Sequence, residues 1–530
     1  MRSHALNLTL LLLLATTCAC AGRLAPPGEG GRTWRGVSSG PVTVHTDVSE
    51  GDARDLAADY HRRYLALMSV SFSCAEVKGE LPAVEVTVFA RRGDFEAAAN
   101  SENTAALARS FGSLLRARPP TVMFSSGRRL GQPLRVTGRK ERLFQHEIAH
   151  RLTASCFSNL PRWLIEGLAE VVETVYIVDG VVRIGQSPYA FSERFQLSEA
   201  NDLDILVVPR RKLPGVAELR NLDAESFYDD EPTKMGLNYA GAWALTHMLA
   251  FGDDELRAPF RRYLSLLRAA ELSEERAWDE SFGQFDISAR YEAYVDAQKF
   301  STFDVPFDDV QPETKVWTLS DARAREILAR TMDWSDPAWA LRAERLLDGA
   351  GEGSGLDRAL VQLALADLAL VGARVDKAWA HAEAAYEAEP GDTSVLAAYL
   401  GLAVARGDRS VDSAERAYRE LRALEPDSAD SHLALGEFEL ARGQTDAAID
   451  RLVRALERHP ACWECMELLG DASLARHDAP SAVSLYAKAY NLLPESFGRS
   501  RTRVGSKLQD ARRVAADPNR RQPLAPAGPD

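Results

Sequence analysis

Cysteine is scarce in this chain, with six in 530 residues. Cys18 and Cys20 lie near the start, Cys74 and Cys156 in the front half, and Cys462 and Cys465 in the back. So few exclude a disulfide-stapled scaffold. A Cys74–Cys156 bridge stays open. Cys462-Trp463-Glu464-Cys465 is a lone C-x-x-C with no two further ligands beside it, so it reads as a local disulfide or two packed thiols. Positive charge is in deficit as well. Lys and Arg number 63 against 77 Asp and Glu, a formal net charge of −14, which argues against a nucleic-acid partner. Long apolar runs are missing. Residues 5–16, with five consecutive leucines at 10–14, are shorter than the ~20 residues a membrane span needs, and after Arg2 they fit a secretory leader.

What is present begins with that leader. It ends in Cys18-Ala19-Cys20-Ala21, which resembles a bacterial lipobox. The resemblance implies an exported protein of the cell envelope, anchored to a membrane through lipid on Cys20. Cys18 and ordinary cleavage near Ala19 are the alternatives. Residues 21–39 are rich in Gly, Pro and Arg and are expected to form a tether.

Next come alternating segments. Pro41–Asp47, Pro82–Ala90 and Thr121–Ser125 read as strands, and residues 52–68 and 93–115 as helices. This β-α-β-α-β order predicts a mixed sheet packed by helices. The densest chemistry follows at Gln145-His146-Glu147-Ile148-Ala149-His150-Arg151. On a helix, His146 and His150 project from one face a turn apart and can share a metal ion, with Glu147 beside them as a proton acceptor. A second helix, with Asn159 as N-cap and Pro161 in its first turn, carries Glu166 and Glu170. Glu166 would be the acidic third ligand, leaving a fourth position for water, as a catalytic zinc site requires. Glu173 continues the stripe and reads as solvated.

H-E-x-x-H followed by W-L-x-E-G-x-A-E resembles the gluzincin metallopeptidases, and bacterial peptidase-MA-like proteins in particular. The resemblance implies Zn2+ held by His146, His150 and Glu166, Glu147 as general base, and Glu170 orienting a ligand imidazole. It also implies a peptide or protein substrate paired with an edge strand, for which Thr121–Ser125 is the candidate; a buried central strand is the other reading. Only fifteen residues separate His150 from Glu166, and no G-x-M-E-N segment is present, so aminopeptidase specificity has no support. Tyr239, at the start of the apolar helix Asn238–Phe251, is the candidate phenol for an oxyanion. His247 reads as a core histidine. Residues 201–212 and 229–234 look like loops, and 203–214 is a candidate cover for the site.

Residues 301–318 break periodicity and are expected to be a linker. Beyond them Pro390, Pro426, Pro460 and Pro494 recur at intervals of 36, 34 and 34, which resembles tetratricopeptide repeats. Leu435-Gly436, Ala448, Ala455 and Pro460 carry the pattern in one unit, and Leu469-Gly470, Ala482, Tyr486, Ala489 and Pro494 in the next. The resemblance implies a helical superhelix that binds a protein partner or spaces the front domain. The expected fold class is therefore α+β: a gluzincin-like domain over 40–300, a mixed sheet plus a helical zinc lobe. An all-α repeat solenoid would follow over 319–500, then a helix end and disordered tail over 501–530. Two functions compete. One is a zinc-dependent peptidase whose repeats recruit a partner or substrate. The other is a non-enzymatic envelope adaptor with a vestigial or structural metal domain.

Overall fold

The structure, a computed structural model, describes residues 25–70, 83–99, 106–109, 121–125, 139–157, 160–192, 198–200, 205–228, 231–310, 312–350, 355–407, 412–424, 427–493 and 498–516. Cys20, the leader, Cys74, Asn159 and the tail beyond 516 lie outside them. The chain divides into two compact units, one of Met1–His61, Ala83–Gln132 and Gln311–Leu402, the other of Arg62–Pro82, Pro133–Val310 and Ala403–Asp530.

The first unit is built on a six-stranded sheet. Its strands are β1 (Arg35–Ser39), β2 (Val42–Thr46), β3 (Val84–Phe89), β4 (Ala106–Arg109), β5 (Thr121–Ser125) and β6 (Lys315–Thr318), ordered β6-β1-β2-β3-β5-β4. β2, β3 and β5 run parallel, while β1, β4 and β6 each pair antiparallel with a neighbour. Val42 and Val44 of β2 and Val84, Val86 and Val88 of β3 are buried, as β-branched residues on a covered pleat should be. Trp34, Phe89, Phe95, Ile327 and Leu328 form the adjoining cluster, with the Trp34 and Phe89 rings edge to face at 5.6 Å. Gly36 is required where it stands, since a Cβ would fall 2.2 Å from the Trp317 ring.

Four sequence expectations are corrected here. The presumed tether ends inside the fold, because Trp34 is buried and β1 is a sheet strand. The helix expected over 93–115 is described only as Arg92–Ala99, and 106–109 is a strand instead. Thr121–Ser125 is bonded on both sides, to β3 and β4, so the edge position beside it belongs to Ala106–Arg109. The presumed linker 301–318 contributes β6 here, and in the other unit the strand Phe303–Pro306. Short strands with charged and proline-bearing flanks carry too weak a period-2 signal to separate from loop. The remainder of the first unit is helical. Ser320 and Asp336 cap Asp321–Arg330 and Pro337–Asp348, the first two helices after β6.

The second unit contains α1 (Arg139–Cys156), α2 (Arg162–Glu173) and α3 (Pro232–His247). After α2, an Asp179-Gly180 turn with both residues at positive φ closes the hairpin Tyr176–Val178/Val181–Ile184, and Phe303–Pro306 adds a third strand. A second small sheet is made by Tyr189–Ser192, Ile205–Pro209 and Ser198–Ala200. Thus 201–212, expected as loop, includes a strand at 205–209. α3 is apolar nearly all round, with Ala240, Ala242, Trp243, Ala244 and Leu245 fully buried, and it runs into a π-helical turn at Met248–Gly252. His247 is a satisfied core histidine: its Nε2–H donates to Gly185 O at 2.8 Å, and its Nδ1 accepts from the Tyr294 hydroxyl at 2.6 Å.

The back of this unit is a run of paired helices: Asp412–Ala423, Ala429–Ala441, Thr445–Arg458, Trp463–Ala475, Ala479–Leu492 and Gly498–Ala516. Ala448, Ala455, Ala482 and Ala489 are fully buried where neighbouring helices meet. Cys462 and Cys465 form a disulfide at the start of Trp463–Ala475, with Cys462 Sγ accepting from Cys465 N. Cys156 is also disulfide-bonded. Among the described residues, no helix is long and apolar enough to cross a membrane.

Candidate metal centre

α1 supplies the two imidazoles. Phe144, Ile148 and Leu152 are buried and seat its apolar side, which turns His146 and His150 to a common face with ring centroids 4.7 Å apart. α2 is strongly amphipathic. Trp163, Leu164, Leu168, Val171 and Val172 are buried, and so are the carboxylates Glu166 and Glu170. Its Pro161 N-cap makes no side-chain cap bond. The residue after Glu166 matters for placement. A Cβ on Gly167 would fall 2.5 Å from Ala242 O and 2.1 Å from Thr246 Oγ1, so only glycine lets α2 and α3 lie this close.

The result is convergence. Glu166 Oε2 lies 3.4 Å from His146 Nε2 and 3.4 Å from His150 Nε2. These donor atoms lie within 4.8 Å of one another, a spacing that can hold one metal ion. Glu166 is 1% exposed, and its Oε2 has no hydrogen-bond partner. The other oxygen is taken: the Tyr228 hydroxyl donates to Oε1 at 2.5 Å, and Arg162 Nη1 sits 3.2 Å from that hydroxyl and 3.5 Å from Oε1. Burial by itself would raise the Glu166 carboxyl, but the two imidazoles outweigh it and hold the group well below the usual carboxylate range. Burial opposes protonation of His146 in the same way, and Glu166, Glu173 and Glu170 reverse that and push it well up.

Behind His146 stand two carboxylates. Its Nδ1 is 3.3 Å from Glu173 Oε2 and 3.7 Å from Glu170 Oε1. Glu170 receives the Tyr189 hydroxyl at 2.5 Å, and burial with the neighbouring Glu173 charge pushes its carboxyl up to about 8. Glu173, expected to be solvated, is instead mostly buried against the ring, with Arg142 Nη1 at 3.9 Å. Tyr239 does reach the site: its ring centroid is 6.1 Å from His146 and 5.2 Å from Phe227. Burial, with the charges of Glu166, Glu170 and Glu147 among others, raises its phenol above the ordinary value. Glu147 is half-buried on α1.

The structure therefore brings together His146, His150, Glu166, Glu170 and Tyr239 of the sequence candidates. Tyr228, Arg162, Tyr189 and Glu173 were not singled out for these roles. Arg162 stands four residues before Glu166, a helical spacing that carries a signal. Tyr228 lies 62 residues after Glu166 in sequence, and nothing local marks it. A cavity of about 940 Å³ opens beside the start of α2, with Arg162, Ile165, Arg220, Glu274 and Asn491 in its wall.

No curated protein matches the chain in sequence. Among solved structures it is similar to the APC/C hetero-tetramer Cut9-Hcn1, at 15% identity and a TM-score of 0.27, over 54% of this chain and 53% of that one. It is similar also to yeast Tom70, at 13% identity and a TM-score of 0.26, over 71% of this chain and 75% of that one. The chain thus spans about half the length of the first. Residues 400–450 and 439–496 match the tetratricopeptide repeat family, and the C-terminal region carries tetratricopeptide repeats.

Proposed function

We propose that this protein is an exported, zinc-dependent peptidase whose repeats bind a protein partner or substrate. The observation that supports the hydrolase part is Glu166 Oε2, which has no hydrogen-bond partner and stands 3.4 Å from each of two imidazole Nε2 atoms in a largely buried pocket. A buried carboxylate oxygen without a hydrogen bond is costly unless positive charge stands beside it, and a metal ion between it and the two imidazoles would supply that charge. Two imidazoles and one carboxylate suit zinc and leave a coordination position open. His146, His150 and Glu166 would hold it. When bound, zinc polarises a carbonyl and makes water acidic enough to act as a nucleophile near neutral pH.

The chain's own residues do the remainder. Glu147 accepts the proton of the attacking water and hands it to the leaving amine. Tyr228 and Arg162 occupy Glu166 Oε1, so that the carboxylate presents a single oxygen. Tyr239, kept protonated by burial and nearby carboxylates, donates to the substrate oxygen as negative charge develops.

Partner binding is supported by the repeat match over 400–496, and stacked helical repeats offer an extended surface for it. That match also favours a second reading, an adaptor whose metal domain is vestigial or structural. Export and a lipid anchor on Cys20 rest on the leader sequence. The deciding experiment is metal analysis of the purified full chain beside peptide-library digestion, with and without chelator, by wild type and Glu147→Gln. Chelator-sensitive cleavage by wild type, lost in Glu147→Gln at unchanged zinc content, supports the peptidase. Zinc at unit stoichiometry with no cleavage by either favours the adaptor.

A further inference from the structure

We infer that Glu173, rather than Glu170, is the positioning residue that fixes the ring of His146 for metal binding. The inference rests on the metal-centre reading above and deepens it. His146 Nε2 faces Glu166 Oε2 at 3.4 Å, which makes Nε2 the metal-side nitrogen and leaves Nδ1 to carry the proton. That N–H needs an acceptor. A carboxylate there locks the tautomer, orients the ring and makes the ligand more basic.

Two carboxylates compete for the role. Spacing along α2 favours Glu170, one turn past Glu166. The geometry points to Glu173. Its Oε2 is the closer, at 3.3 Å against 3.7 Å, and accepts a hydrogen bond from Nδ1–H, which Glu170 stands too far away to do. Glu170 has another engagement. Its Oε2 accepts the buried Tyr189 hydroxyl at 2.5 Å, which holds that side chain toward the small sheet. Glu173 carries a cation on its far side, with Arg142 Nη1 3.9 Å from Oε1, so one oxygen faces the arginine and the other the imidazole. Arg142 lies four residues before His146 on α1, so α1 supplies both the ligand and the guanidinium that steadies the ligand's partner. Glu170 acts behind this pair as a packed, tyrosine-held spacer.

The test uses the full chain and zinc itself. Zinc affinity is measured by chelator competition for wild type, Glu173→Gln, Glu173→Asp and Glu170→Gln, with the thermal midpoint of the metal-free form recorded for each. Affinity in Glu173→Gln is expected to fall about 10–100-fold, with partial recovery in Glu173→Asp and a change of only a few fold in Glu170→Gln. A histidine-selective nitrogen–proton spectrum of the zinc-loaded protein adds a readout that a structural role would leave alone: the His146 Nδ1–H resonance shifts in Glu173→Gln and stays in Glu170→Gln. If Glu173→Gln is too unstable to purify, Glu173→Asp and the wild-type spectrum decide, since an absent Nδ1–H signal overturns the inference. Equal affinity in wild type and Glu173→Gln, or a larger loss in Glu170→Gln, overturns it and leaves the metal centre standing. A wild-type protein that binds no zinc overturns both.

Discussion

In the repeat helices of the second unit, interfaces close on small residues. Ala448, Ala455, Ala482 and Ala489 have no exposed surface, and Gly436 and Gly470 would each press an added methyl into a neighbour, Leu452 at 2.9 Å and the Tyr486 ring at 2.6 Å. In the α1–α2 pair the same closeness is used to gather charge. Glu166, Glu170 and His146 are buried among Phe144, Ile148, Trp163 and Leu168. Burying apolar area stabilises by about 25 cal/mol per Å² without regard to direction. Burying carboxylates is unfavourable unless each is answered, and here Tyr228 and Tyr189 hydroxyls donate to Glu166 and Glu170 while Arg142 stands 3.9 Å from Glu173. The repeats can be read as a packing solution. The helix pair is a site held in place against its own desolvation.

The sharpest way to break this comparison is at Glu147. On the proposed peptidase reading, Glu147→Gln is expected to lower the rate of cleavage by about a hundredfold to ten-thousandfold while folding midpoint and zinc content stay level, which steady-state kinetics with metal analysis will show. A loss of zinc in that variant would make Glu147 part of the packing rather than of the chemistry.

Next in size is a pH effect. Burial holds the His247 imidazole at about 4, below its usual 6.5. In the unfolded chain the ring takes up its proton as pH falls through 6.5, and in the folded chain only near 4. The folded state's advantage is therefore full above pH 6.5 and shrinks by about 3 kcal/mol as pH falls to 4. Denaturant titrations across that range should show the decline, and His247→Gln should lessen its slope.

Smaller again are two matched glycine substitutions. Gly167→Ala and Gly470→Ala should each destabilise by about 1–3 kcal/mol through overpacking, read by urea denaturation. Only Gly167→Ala should also weaken zinc binding, because it moves α2. Equal effects on zinc would erase the distinction between the two regions. Smallest is Tyr228→Phe, which frees Glu166 Oε1 and should reduce zinc affinity about tenfold, measured by competition with a chelator.

Much of this was legible beforehand because it is local. H-E-x-x-H sets two rings a turn apart on any helix, E-G-x-A-E puts the next carboxylates on one stripe, and proline spacing marks the repeats. What escaped reading is what long-range pairing decides. Whether Thr121–Ser125 sits at an edge depends on where Ala106–Arg109 pairs, 12 or more residues away in register. Strands β6 and Phe303–Pro306 gain their identity only from partners far up the chain, Arg35–Ser38 and Val181–Ile184. Tyr228 and Tyr189 reach the carboxylates from short elements with no period of their own. Glu173 looked solvent-facing because α2 was read without the arginine of α1 beside it.

The contact at Gly167 has a practical side. Since α2 meets α3 at both the main-chain oxygen of Ala242 and the side chain of Thr246, the seat of Glu166 is set by a close helix-to-helix approach that leaves no room for a Cβ. Substitutions in the neighbouring cavity wall at Ala217 or Leu222 leave that approach untouched, so they should alter the cavity without moving Glu166.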